Sequence, residues 1–219
     1  LKLAKSFYKG KMQTEAEGEA ERPSREIVDA MRKLQETIYT NAFYQKHDLR
    51  KAMVDLYSTH LLVANLCIRT DEEMEKVKHI LDLYHDKISR LVQDGLVLTF
   101  QGLGLLNETE LYMQVFNDDA LRTLKDVSTT IRSALMASGV HVLPQKSFVG
   151  QITVFKYNED QVARGLKIQD DLWMPLMYSQ FGQQPVRCLQ LCNIHDKPRW
   201  SYYRVEWQRS LEARQDKRA

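Results

Sequence analysis

Two short segments, Ser58-Thr59-His60-Leu61-Leu62-Val63 and Gln151-Ile152-Thr153-Val154-Phe155-Lys156, have the length and the β-branched or aliphatic content of strands. Each is followed by a stretch of helical character. Strands and helices interspersed in this way confine the chain to a mixed architecture, and the hairpin connections among its other strands argue against a doubly wound parallel sheet. The expected fold class is therefore α+β, with antiparallel or mixed sheets flanked by helices. A strand followed by a long helix, starting once at Ser58 and again at Gln151, points to an internally duplicated, two-lobed molecule. The two segments would then face each other across a central cleft.

The rest of the chain supplies the elements around this pair. Residues 10–24 are polar, carry Glu15, Glu17, Glu19 and Glu21 around Gly18 and ahead of Pro23, and lack apolar periodicity. Residues 1–23 are accordingly expected to be a flexible N-terminal segment, residues 24–208 the folded domain, and residues 209–219 a basic C-terminal tail. Ile27, Met31, Leu34 and Ile38 recur at helical spacing. Thr70 with Glu73 makes a capping-box signature for a second helix, with Met74, Val77, Leu81, Ile88 and Leu91 inward and Gly95 at its end. Strands are expected at residues 96–100 and 111–116, joined through a turn at Asn107-Glu108-Thr109. Asn117 is placed to cap a third helix, which carries Leu121, Leu124, Val127, Ile131 and Leu135 and closes at Gly139. Further strands are read at residues 140–143, 150–157, 186–194 and 200–207, and an irregular helical region, broken by Pro175, at residues 160–180.

Composition excludes several function classes. A formal net charge of +2 over 219 residues gives no general nucleic-acid footprint. The basic residues Arg209, Arg214, Lys217 and Arg218 read as a solvated end. No apolar run approaches the ~20 residues of a membrane span, and no signal-peptide pattern opens the chain. A cytoplasmic or nuclear protein without a membrane partner is expected. Because it starts at Leu1 rather than methionine, the chain reads as a piece of something longer. Cys188 and Cys192, if on one strand, lie roughly 13 Å apart, too far for a disulfide. No zinc-type spacing joins any cysteine to a histidine, and His47, His79, His85, His141 and His195 make no ligand pair, so neither a metal nor a cofactor is expected.

Several short runs nevertheless carry a resemblance. Lys51-Ala52-Met53-Val54, Leu61-Leu62-Val63, Phe100-Gln101-Gly102-Leu103-Gly104, Ser147-Phe148, Thr153 with Lys156, Phe181-Gly182, Leu191-Cys192 and Tyr202-Tyr203 occur in the order and spacing of the two-histidine phosphoesterases. Over about residues 27–206 the chain resembles the LigT and 2′-5′ RNA ligase-like branch of that family, in particular the domain found in an A-kinase anchoring protein. The resemblance implies a LigT-like fold, a nucleotide or RNA ligand, and a kinase regulatory subunit as a possible partner through flanking segments.

In active members each motif strand carries His-x-Thr or His-x-Ser. Alternation puts positions i and i+2 on one face, about 7 Å apart. The imidazole moves a proton near neutral pH and the hydroxyl donates to a phosphate oxygen, so two such strands supply a general base and a general acid. This chain departs from the pattern twice: Ser58 stands where the first histidine belongs with His60 at the hydroxyl position, and Gln151 replaces the second histidine while Thr153 keeps the hydroxyl. Glutamine has no proton to exchange near pH 7.

Two enzymatic states therefore stay open. In one the chain is catalytically degraded and binds a nucleotide, an RNA or a protein. In the other it is a phosphodiesterase for 2′,3′-cyclic or 2′-5′-linked nucleotides that uses His60, which a two-residue register shift would keep on the same face. Ser58, His60, Gln151, Thr153 and Lys156 are the ligand-binding candidates. Ordinary strand polarity accounts equally for their residue types. Gln101-Gly102-Leu103-Gly104 is not a dinucleotide fingerprint and reads as a turn or bulge. Trp200, Tyr202, Tyr203 and Trp207 read as core packing rather than a base-stacking platform, because alternation splits them between two faces.

Overall fold

The computed structural model describes residues 2–6, 23–44, 49–144, 150–196 and 202–211. Its elements, in chain order, are β1 (Lys2–Ser6), α1 (Arg25–Tyr44), β2 (Leu62–Cys67), α2 (Asp71–Leu91), β3 (Val97–Leu106), β4 (Glu110–Val115), α3 (Asp119–Ala137), β5 (Gln151–Lys156), α4 (Glu159–Ala163), β6 (Gln180–Pro185), β7 (Cys188–Asn193) and β8 (Arg204–Ser210). Single 3-10 turns lie at Arg50–Ala52, Leu56–Ser58, Asp170–Leu172 and Met174–Leu176. The strands form two four-stranded sheets, ordered β2-β1-β7-β8 and β5-β4-β3-β6. The first is mixed, since β1 runs parallel to β2 and β7 while β8 is antiparallel to β7; the second is antiparallel throughout. The architecture is α+β, as the alternation of elements predicts.

The three long helices form where the apolar period is 3.6. In α1, Ile27, Met31, Leu34 and Ile38 are all buried, each worth ~1.5–3 kcal/mol of transfer free energy. The helix packs on the second sheet, chiefly against β6. Its first turn is fixed there by side chains: the Ser24 hydroxyl donates to the Gln183 carbonyl at 3.1 Å, and Glu26 accepts from the Gln183 amide at 3.1 Å. Helix α2 opens as expected, with Thr70 accepting from the Glu73 amide at 3.1 Å, although Glu73 reaches back to the Arg69 amide at 2.6 Å. Leu91, expected inward, is exposed, and Gly95 falls in the turn beyond the helix at φ +83°. The cap of α3 is Asp118 rather than Asn117, accepting from the Leu121 amide at 3.0 Å. Helices α2 and α3 pack together, and Asp82 of α2 accepts from the Trp207 indole at 3.0 Å, clipping α2 to β8. Among the described residues no helix is long and apolar enough to cross a membrane.

The structure corrects several expectations. Lys2–Ser6, assigned to a flexible segment, form β1 at an interior position of the first sheet. Residues 140–143 make one bridge, Leu66↔Val142, and two backbone bonds that cover the edge of β2, not a strand. The second motif strand is followed by the five-residue α4 and two 3-10 turns, one containing Pro175, so the strand-plus-long-helix repeat is not reproduced after Gln151. The end of that region pairs instead with β3 as β6, starting at Gln180. Ser147-Phe148, Trp200, His47 and the tail beyond residue 211 lie outside the described residues.

Candidate functional site

The second motif lies on β5, whose partner β4 alternates cleanly. Leu111, Met113 and Val115 are buried, and Glu110, Tyr112 and Gln114 are half-buried on the other face. Along β5 the register runs Gln114↔Gln151 and Tyr112↔Thr153, then Leu111↔Phe155 and Glu110↔Lys156. Val154 is therefore an extra residue, a β-bulge, and both Val154 and Phe155 are buried. The bulge reverses the parity of the strand beyond it. Lys156, which strict alternation would turn to the face opposite Gln151 and Thr153, joins them on the polar face.

All three converge on Glu110. The Thr153 hydroxyl donates to Glu110 Oε1 at 2.7 Å, Gln151 Nε2 approaches the same oxygen at 3.4 Å, and Lys156 Nζ lies 2.7 Å from Oε2. The Glu110 side chain is 12% exposed and that of Lys156 60%. Sequence reasoning missed Glu110. The signal was present, because Glu110 is the one acid on the alternating polar face of β4, but the bulge that brings Lys156 to it was not legible. Room for this face comes from β3, where a Cβ on Gly104 would overlap the Tyr112 ring and one on Gly102, at φ +89°, would lie 2.5 Å from the Gln114 amide. The ladder is irregular at this point, so the glycine run sits at a bulge, as expected.

The first motif is not built as a strand from its start. Asp55 accepts from the Tyr57 amide at 3.0 Å and caps the 3-10 turn Leu56–Ser58, so β2 begins only at Leu62. Ser58 and His60 therefore do not share a strand face, and no even register shift along a strand relates them. Ser58 is 6% exposed and donates its hydroxyl proton to the Asp55 carbonyl at 2.7 Å. The Ser58 hydroxyl is also a hydrogen-bond neighbour of the Tyr203 phenol.

His60 Nδ1 lies 2.7 Å from the Ser58 carbonyl oxygen. A carbonyl only accepts, so Nδ1 carries the proton and the basic nitrogen of the neutral ring is Nε2. The imidazole meets the Tyr203 ring edge-on at 5.5 Å, and Tyr203 meets Tyr202 at 5.6 Å. Burial pushes the Tyr203 phenol above its ordinary range, with the Ser58 hydrogen bond partly opposing it. Burial, followed by the neighbouring Cys192 and Cys188, pushes Tyr202 up further. Both phenols are protonated at neutral pH.

The two clusters are tethered through the segment between them. Met53 bridges Phe155, and the Val54 amide donates to the Val154 carbonyl at 3.0 Å. The buried amide of Gln35 on α1 donates to the carbonyls of Val54 and Val154 at 2.7 and 3.0 Å. The chain thus leaves the edge of β5 four residues before Ser58. Among the described residues no three His, Cys, Asp or Glu side chains gather to hold a metal, and no disulfide joins Cys67, Cys188 and Cys192.

The sequence and the fold are both matched in known proteins. The AKAP7 2′5′ RNA ligase-like domain family matches residues 22–211. The chain belongs to this family. It is 25% identical over 189 residues to the human A-kinase anchor protein 7 isoform gamma, across 84% of this chain and 53% of that protein. The chain therefore spans about half the length of that curated relative. Among solved structures it resembles one described as a phosphoesterase (TM-score 0.52, 16% identity, 83% of this chain and 93% of that one). It also resembles E. coli LigT complexed with 3′-AMP (TM-score 0.51, 16% identity, 83% and 92%). At that identity these two matches establish a LigT-like fold for this two-histidine phosphoesterase-like domain.

Proposed function

We propose that this domain is a catalytically degraded two-histidine phosphoesterase-like domain that acts by binding, as a nucleotide- or RNA-binding or protein-interaction module. The observation that carries the reading is the state of the two proton-transfer positions. Ser58 is buried with its hydroxyl proton donated to the Asp55 carbonyl, and Gln151 offers an amide directed at Glu110. Neither group exchanges a proton near neutral pH, and the loss of one general acid or base typically costs ~10²–10⁴ in rate.

Of the three ligand classes, the second motif favours one that presents no phosphate to it, since the Thr153 hydroxyl and the Lys156 ammonium are already held by a carboxylate. A protein partner meets that condition. The name of the human relative, an A-kinase anchor protein, makes a kinase the first partner to test, and the family resemblance suggests its regulatory subunit, reached through segments flanking this domain. Three cysteines kept as thiols suit a reducing compartment, cytoplasm or nucleus.

One observation favours a second reading. The tautomer fixed at His60 makes Nε2 a base, so His60 is the group that residual phosphodiesterase activity on 2′,3′-cyclic or 2′-5′-linked nucleotides would use. Assaying the purified chain and its His60→Ala variant on those substrates separates the two readings. Absence of turnover in both supports a binding module, and turnover that disappears with His60 supports the enzyme.

A further inference from the structure

We infer that Glu110 is a built-in anion, and that it decides what the second motif accepts. This inference rests on the reading of that motif as a former phosphate-contacting strand. Three donors of the kind that surround a phosphate, an amide, a hydroxyl and an ammonium, are brought to one face by the Val154 bulge. They do not diverge toward solvent but meet on one carboxylate, Oε1 taking Gln151 and Thr153 and Oε2 taking Lys156. The Glu110 side chain is largely buried and comes from the neighbouring strand, so the sheet itself supplies the carboxylate.

Its effect on ligand choice follows from charge. With Glu110 ionised, the Lys156 charge is neutralised and the Thr153 proton is committed. An approaching phosphate would meet an anion at the centre of its own donor set. Removing that charge leaves the same three donors around a site that lacks an anion. Glu110 is thus a specificity-determining residue: the natural chain excludes phosphate monoesters and diesters from the second motif, and the chain without the carboxylate admits them.

The experiment is a calorimetric titration of the full chain with inorganic phosphate and with 3′-AMP, for the natural protein, Glu110→Gln, Glu110→Val and Glu110→Gln/Lys156→Ala. Gln keeps the shape of the side chain, and Val is a strand former that removes the carboxylate altogether; thermal melts establish that each variant is folded. The expected result is at least about tenfold tighter binding in Glu110→Gln or Glu110→Val than in the natural protein, the size of one charge-assisted hydrogen bond. That gain is lost when Lys156 is also replaced. Folded Gln and Val variants that bind no better than the natural chain overturn the inference, as does a gain that survives Lys156→Ala. Phosphodiester turnover by the natural chain contradicts the non-catalytic reading instead and is scored separately, so the two failures are distinguishable.

Discussion

The Gln35 side chain donates to the Val154 carbonyl at 3.0 Å and, with the same nitrogen, to the Val54 carbonyl at 2.7 Å. One buried amide on α1 therefore holds the edge of the second motif strand against the segment that leads to the first. Gln35→Leu preserves size and helix propensity but leaves the Val54 carbonyl without this donor. We expect a loss of ~1–3 kcal/mol in urea unfolding, the cost of an unmet buried polar group. A variant as stable as the natural chain would remove Gln35 from the account of how the motifs are joined.

Gly104 faces Tyr112 across β3 and β4 so closely that a methyl group would overlap the ring. Gly104→Ala should cost ~1–3 kcal/mol through overpacking. In a Tyr112→Ala background the cost should largely disappear. A double-mutant cycle by denaturant melts measures the coupling, and additive effects would show that the cost at Gly104 does not come from the ring.

The two tyrosines give a pH dependence of definite sign. Burial raises the Tyr202 phenol well above its ordinary value, and Tyr203 above its own. The unfolded chain then releases these protons first, from about pH 10 upward. The stabilisation is complete below the unfolded value and is lost as pH rises toward the folded one. Urea melts at about pH 8 and about pH 10.5 should show this loss. It should be smaller in Tyr202→Phe, and an equal loss in both proteins would mean that other groups cause it.

How much of this was legible in the sequence depended on where the determining contact lay. The inward faces of α1, α2 and α3 were readable because Ile27, Met31, Val77 and Leu124 repeat at a local period. The turn at Asn107-Glu108 was readable from residue type, and both positions have positive φ, 49° and 59°. Strand β1 was not readable, because five residues gain their structure from β2 and β7, far along the chain. Nor was β6, a glutamine-rich segment of low strand propensity that pairs with β3 and is fixed by Glu26.

The site divides in the same way. Gln151, Thr153 and Lys156 were identifiable by type. Their convergence on Glu110 depends on a bulge that no local pattern encodes. Ser58 reads as a strand residue because its own neighbours are strand formers, while the acceptor that winds the chain into a turn is Asp55, three residues earlier.

The direct test of the central claim, that this member of the family binds rather than turns over, is an assay of the purified chain on 2′-5′ oligoadenylate and 2′,3′-cyclic nucleotides with His60→Ala in parallel. The account predicts no turnover above the uncatalysed rate in either protein, because positions 58 and 151 hold no proton-transfer group. Sustained turnover by the natural chain that is abolished in His60→Ala would contradict it and assign catalysis to His60 Nε2.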